Sequence, residues 1–283
     1  MTTLSPISSV NTLVIRPAEP STVGLAQTTS TAVVRPSSVV SLGNVMSDKL
    51  ADTYSRRGQL PGQEVVRAWE SDSQDALSKA INTNFNSLST ANRFNGLGAG
   101  LVELFAKSGT NISQSVLYAS ADRAQNAGEI KVDQTLLHSS ADNLVSLSIK
   151  TASGKTVTFS LSSQSDGLGV QATVEGGSLT DDELKAVGQL GSAFQSAIDG
   201  LTATPPKIDL GNLTRFDPKV LASVDLNAKV KTLDGQNQTL AFHADAQRRT
   251  TRMSGPDGEV NVAVDLKNAA ILGNAQQLSL IHI

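Results

Sequence analysis

Between residues 144 and 174 apolar and polar positions alternate along the chain. Val145, Leu147 and Ile149 stand against Ser146, Ser148 and Lys150, and Val157, Phe159 and Leu161 stand against Thr156, Thr158 and Ser160. A period of two sends each set to its own face of a strand. The stretch therefore predicts a hairpin turned at Ser153-Gly154 with one buried face. A third strand, Leu168, Val170, Ala172 and Val174, follows Asp166-Gly167 and completes a meander. The pattern returns at Val224, Leu226, Ala228 and Val230, then at Leu240, Phe242 and Ala244, and again at Val260, Val262, Val264 and Leu266. Turns are expected at Asp234-Gly235 and at Gly255-Pro256-Asp257-Gly258. Val230-Lys231-Thr232-Leu233-Asp234-Gly235 echoes Ile149-Lys150-Thr151-Ala152-Ser153-Gly154 at the same point of the two hairpins. The echo suggests two related units whose apolar faces pair.

Elsewhere the spacing is helical. Leu77, Ile81, Phe85 and Leu88 recur at three- and four-residue steps, which predicts a helix starting near Ser73. A second helix is expected around Leu101, Val102 and Phe105, and a third from Asn111 as N-cap through Ile112, Val116 and Leu117. Trp69 and Tyr118 read as core or rim aromatics of this helical region. Thr180-Asp181-Asp182-Glu183 is a Thr-x-x-Glu capping box opening a helix with Leu184, Val187, Leu190, Phe194 and Ile198 inward, ended by Gly200. Its acids belong to the cap, where the helix dipole favours negative charge. Pro205-Pro206 closes the helical stretch, Asp217-Pro218 reads as a cap with a helix-starting proline, and Ile208, Leu210, Leu213 and Phe216 tuck under the sheet.

The fold class these elements predict is α+β: a leader over residues 1–60, a helical region over 61–142, and antiparallel meanders of about six strands with one packed helix over 143–277. From Met1 to Gly43 the leader is Ser, Thr, Val and Pro with a single acid, Glu19, and only Arg16 and Arg35 as bases, a composition of disordered segments. It lacks the basic start and apolar stretch of a cleaved secretory signal. It is compatible with export without a cleaved leader, as in flagellar and type III substrates. Residues 278–283, LSLIHI, are the translation of CTG TCT CTT ATA CAC ATC, a transposase mosaic-end adapter, so the authentic residues of this sequence are expected to stop at Gln277 and the natural protein to continue into a missing C-terminal portion.

Composition narrows the chemistry. Of 283 residues, 39% are hydrophobic and 4% aromatic, so the core must be built mainly from Leu, Val, Ala and a few Phe. A net charge of -3 gives no field to attract nucleic acid. The absence of cysteine removes disulfides, thiolate nucleophiles and cysteine metal sites together. No apolar run approaches the length of a membrane span.

No residue set matches a catalytic or cofactor signature. Gly96-Leu97-Gly98-Ala99-Gly100 lacks the third glycine, the preceding strand and the acid ending a second strand that a dinucleotide site needs; Asp122 stands at the right distance but in a helical pattern. A helix-to-helix turn is expected there. His138-Ser139-Ser140 with Asp142 holds triad residue types, but sequence neighbours rarely face one another as nucleophile, base and orienter must, and a solvated loop is expected. His243 falls on the strand face opposite Phe242, a poor zinc or base position. The Asp-Gly turns at Asp166, Asp234 and Asp257 lack the acids of a calcium loop. Arg248, Arg249 and Arg252 form the basic cluster, a candidate anion or partner contact set against a guard on a sheet edge. No cofactor and no metal is implied.

In overall style the chain resembles an uncharacterised family of Ser/Thr/Ala-rich proteobacterial proteins, a resemblance of composition that carries no site residues. The reading that follows is a non-catalytic structural or protein-interaction module, exported or associated with the cell surface or flagellum. The alternative is the accessory N-terminal part of an enzyme whose catalytic domain lies beyond the C-terminus.

Overall fold

The computed structural model describes residues 64–268 apart from 72, 73, 204, 205, 233, 234 and 257. The leader and the adapter-like hexapeptide lie outside the described residues.

Among the described residues, nine strands make one antiparallel sheet in an α+β fold. They are β1 (Val65–Trp69), β2 (Ile112–Ser120), β3 (Asn143–Thr151), β4 (Thr156–Gln164), β5 (Gly167–Glu175), β6 (Leu221–Lys231), β7 (Asn237–Asp245), β8 (Arg248–Gly255) and β9 (Gly258–Asp265). Their spatial order is β1-β2-β5-β4-β3-β6-β7-β8-β9. The two expected meanders are present, but they join edge to edge through β3 and β6, with Leu147 opposite Leu226, instead of pairing face to face. Edge joining satisfies the backbone groups of both units and merges their apolar faces into one. One row of that face runs Ile112, Ala172, Phe159, Leu147, Leu226, Phe242, Thr251, Val262 across eight strands. The two echoed stretches share one bond: Gly154 N donates to Thr151 O and Gly235 N to Thr232 O, with both glycines at positive φ.

Three strands exceed the expected six. β2 occupies the stretch predicted as a third helix, and Asn111, predicted as its N-cap, instead accepts a hydrogen bond from Val174 N that fixes the β2–β5 register. β1 carries Trp69, which packs on the core as a strand residue. β8 carries the arginine cluster.

Helices cover the apolar face. They are α1 (Ala76–Asn84), α2 (Thr90–Phe94), α3 (Leu97–Ser108), α6 (Asp181–Gly188) and α7 (Gly191–Thr202), with a 3-10 turn at Gly211–Thr214 that buries Leu213. Ile208, Leu210 and Phe216 pack beside it as expected. Two further helices, α4 (Ala121–Ala124) and α5 (Ala127–Ser140), lie on the opposite face over β2, β4 and β5, where Ile130 meets Leu117 and Ala119.

Several boundaries differ from expectation for local reasons. α1 is capped by Asp75 and stops at Asn84, whose side chain donates to Arg93 O and Asn95 O, so Leu88 falls beyond it and is exposed. The capping box forms as predicted, and Glu183 also takes Lys155 and Ser153 from the β3–β4 turn. Burial would raise the Glu183 pKa, but these donors and Thr180 outweigh it and hold it at about 2. The helix then breaks into α6 and α7 between Gly188 and Gly191, two glycines pressed against Ala106 and Val102 of α3. Gly200 does not end α7 but lies inside it. Asp217-Pro218 forms a turn, with Val220 and Leu221 N–H groups donating to Asp217 O, and starts no helix. Arg93 of α2 ties the helical layer to the β4–β5 turn by donating to the carbonyls of Gln164, Ser165 and Gly167.

Candidate functional site

The strongest polar convergence brings together groups far apart in sequence. Glu70 follows β1, Ser113 and Ser115 stand two apart on β2, and His138 lies in the last turn of α5. Ser113 Oγ donates to Glu70 Oε1 at 2.6 Å, Ser115 Oγ to Oε2 at 2.8 Å, and His138 Nε2 meets Oε2 at 2.8 Å. The two serines share the α5 side of β2 because strand residues alternate, and α5 lowers the imidazole onto Gly169, where an added Cβ would stand 3.0 Å from Cε1. His138 is therefore not in the solvated loop expected of it: its side chain is 8% exposed. Ser139 instead donates back to Thr135 O, and Asp142 pairs with Lys231, so the triad residue types of that stretch point three ways.

This geometry decides the chemistry. Burial would raise the Glu70 pKa, but hydrogen bonds from His138, Ser113 and Ser115 and the His138 charge outweigh it and hold it at about 2. The carboxylate is an acceptor only, so His138 Nε2 must carry the proton that points at it. Ser113 Oγ lies 3.4 Å from that same nitrogen. A nucleophile needs a base nitrogen facing its hydroxyl and an acid on the other ring nitrogen. Here acid and hydroxyl share one nitrogen, while Nδ1 is buried without a hydrogen-bond partner. The cluster is a carboxylate closed by three donors.

A second cluster lies on the open polar face. His243 Nδ1 meets Asp225 Oδ1 at 2.6 Å and Nε2 meets Asp245 Oδ2 at 3.0 Å. Burial would lower the His243 pKa, but the two carboxylates outweigh it and raise it. Both ring nitrogens are occupied, which leaves no lone pair for a metal or a proton acceptor. Among the described residues, no three His, Asp or Glu side chains are placed to hold a metal ion.

The arginine cluster divides. Strand alternation sends Arg248 and Arg252 to the polar face and Arg249 to the apolar one, opposite Ala244 and Val264. Arg252 borders a shallow, open depression of about 280 Å³ with Asn227, Lys229 and Thr239 and lies 3.6 Å from Glu259. β8 is the penultimate strand, so these cations do not guard an edge. Gly96 makes the α2–α3 turn at positive φ, and Gly98 sits against Phe194, Gln195 and Ile198 of α7. These glycines serve a turn and helix packing. Asp166 lies in the β4–β5 turn, while Asp234 and Asp257 fall outside the described residues.

The Glu70 hub was invisible in sequence because its other members stand 43 to 68 positions from Glu70. Its available signal was His138 itself, four residues beyond Gln134 and eight beyond Ile130 on the buried stripe of α5. No family model, curated protein or solved structure matches the chain.

Proposed function

We propose that this protein is a non-catalytic structural or protein-interaction module. The observation that carries the reading is the Glu70 hub. The convergence of acid, imidazole and hydroxyls from β1, β2 and α5 is consumed by its own hydrogen bonds, with acid and hydroxyl on one imidazole nitrogen. The long, mostly open polar face, with rows such as Thr173, Thr158, Ser148, Asp225, His243, Thr250, supports a surface role. The charge-poor leader adds export without cleavage, which is tested by fractionating culture medium from cells.

The test of the module is turnover of activated esters and amides by the wild type beside Ser113→Ala and His138→Ala. All three are expected to match the uncatalysed rate. Hydrolysis by the wild type that either folded variant abolishes would overturn the reading.

A further inference from the structure

Two apolar patches remain uncovered on the described molecule, and they are unlike each other. The first is on α5. Its inward side is Ile130, Asp133, Gln134 and Leu137, while Val132 and Leu136 are 57% and 52% exposed. With Glu129 they form an outward stripe at helical spacing, i, i+3, i+7. Arg123 and Asn126 hold the Glu129 carboxylate from within the chain, yet its side chain is about half exposed.

The second patch is the end of the sheet's apolar face. Rows that are core at β3 and β6 continue into Val260, Val262 and Val264 of β9, which lie beyond the main core cluster. The 3-10 turn at Gly211–Thr214 packs against β7, no helix packs closely on β8 or β9 among the described residues, and Val260, Val262 and Val264 are half-buried. Inside this patch stands Arg249, in a row otherwise made of Val174, Val157, Ile149, Val224, Ala244 and Val264. Its Nε is buried with no hydrogen-bond partner, and burial lowers its pKa. A guanidinium held so demands a carboxylate.

We propose that the outward stripe of α5 in one molecule docks on the β8–β9 face of a second copy. Val132 and Leu136 then rest on the valine rows and Glu129 meets Arg249 of the neighbour. A helix ridge on a sheet face is the packing the chain already uses for α3, and the half-exposed Glu129 is opposite in charge to Arg249. α5 packs over β2, β4 and β5, so it cannot reach β9 at the far end of its own sheet. Because unlike patches meet, the contact is heterologous and repeats head to tail into a ring or filament. The inference rests on the module reading and names its partner.

The helix side of the contact is small, which places it with weak associations, so sedimentation velocity is run at about 0.1–1 mM protein. The wild type is expected to form concentration-dependent oligomers, and Leu136→Glu and Val262→Glu to sediment as monomers, each with an unchanged circular dichroism spectrum. Mixing the two variants restores one intact contact and is expected to give 1:1 heterodimers. Arg249→Glu gives the same monomer if Val262→Glu fails to fold. A wild type that stays monomeric, variants that assemble like it, or a mixture that stays monomeric would each overturn the docking. The ester and amide assay is independent of association, so loss of the contact and loss of the module reading are told apart.

Discussion

Phe159→Ala is expected to cost about 3–5 kcal/mol, the range for emptying a buried aromatic site. Phe159 is fully buried at the middle of the sheet, between Ala172 of β5 and Leu147 of β3 in the row that crosses eight strands. Its ring meets Phe105 of α3 edge-on, with centroids 5.2 Å apart and planes at 90°. This contact fastens the helical layer to the sheet, and sheet neighbours on both sides are hydrogen-bonded in place and cannot collapse into the void. A urea unfolding midpoint measures the loss, and a double-mutant cycle with Phe105→Ala is expected to give a coupling of about 0.5–1.5 kcal/mol for the ring pair. A cost below about 1 kcal/mol would mean that α3 does not pack on β4 as described.

Gly200→Ala carries the second large effect, and its sign opposes helix propensity. Alanine inside a helix is favoured over glycine by about 1 kcal/mol. At residue 200, however, an added Cβ would stand 2.1 Å from the Lys207 carbonyl oxygen, a backbone atom. The approach is fixed by Lys207 N donating to Gly200 O at 2.8 Å, which folds the chain back on α7. The segment after α7 must move away, and a loss of about 3 kcal/mol is expected, the upper end for overpacking. Thermal unfolding checks it; a variant more stable than the wild type would show that the return segment does not lie on Gly200.

These two positions also mark what was legible in the residues. β3 to β7 were readable because one face meets the apolar core and the other is more polar, so the environments alternate with the side chains, and β9 was readable because Val260, Val262 and Val264 alternate with Glu259, Asn261 and Ala263. β2 was not, because α5 covers one face and α1 and the core the other. Leu117 and Ala119 are buried along with Val116, and Ile112 and Val116 were left at a helix-like spacing. β8, with Arg249, Thr251 and Met253 toward the apolar side, has too little contrast between its faces to signal a strand. Gly200 was readable as a glycine near a helix end but not as a point of close approach, since the segment that presses on it begins seven residues later. The same distance problem hid the hub. Ser113 and Ser115 look like the polar half of a strand, and only the α5 packing shows that Glu70 and His138 fill the space above them.

The protonation of His138 carries the whole functional account. Nitrogen NMR of the His138 ring in the folded protein reads it directly. The proton is expected on Nε2, coupled across the bond to Glu70. A neutral ring protonated at Nδ1, with Nε2 accepting from Ser113, would mean that the serine has a base and that the site is built to react.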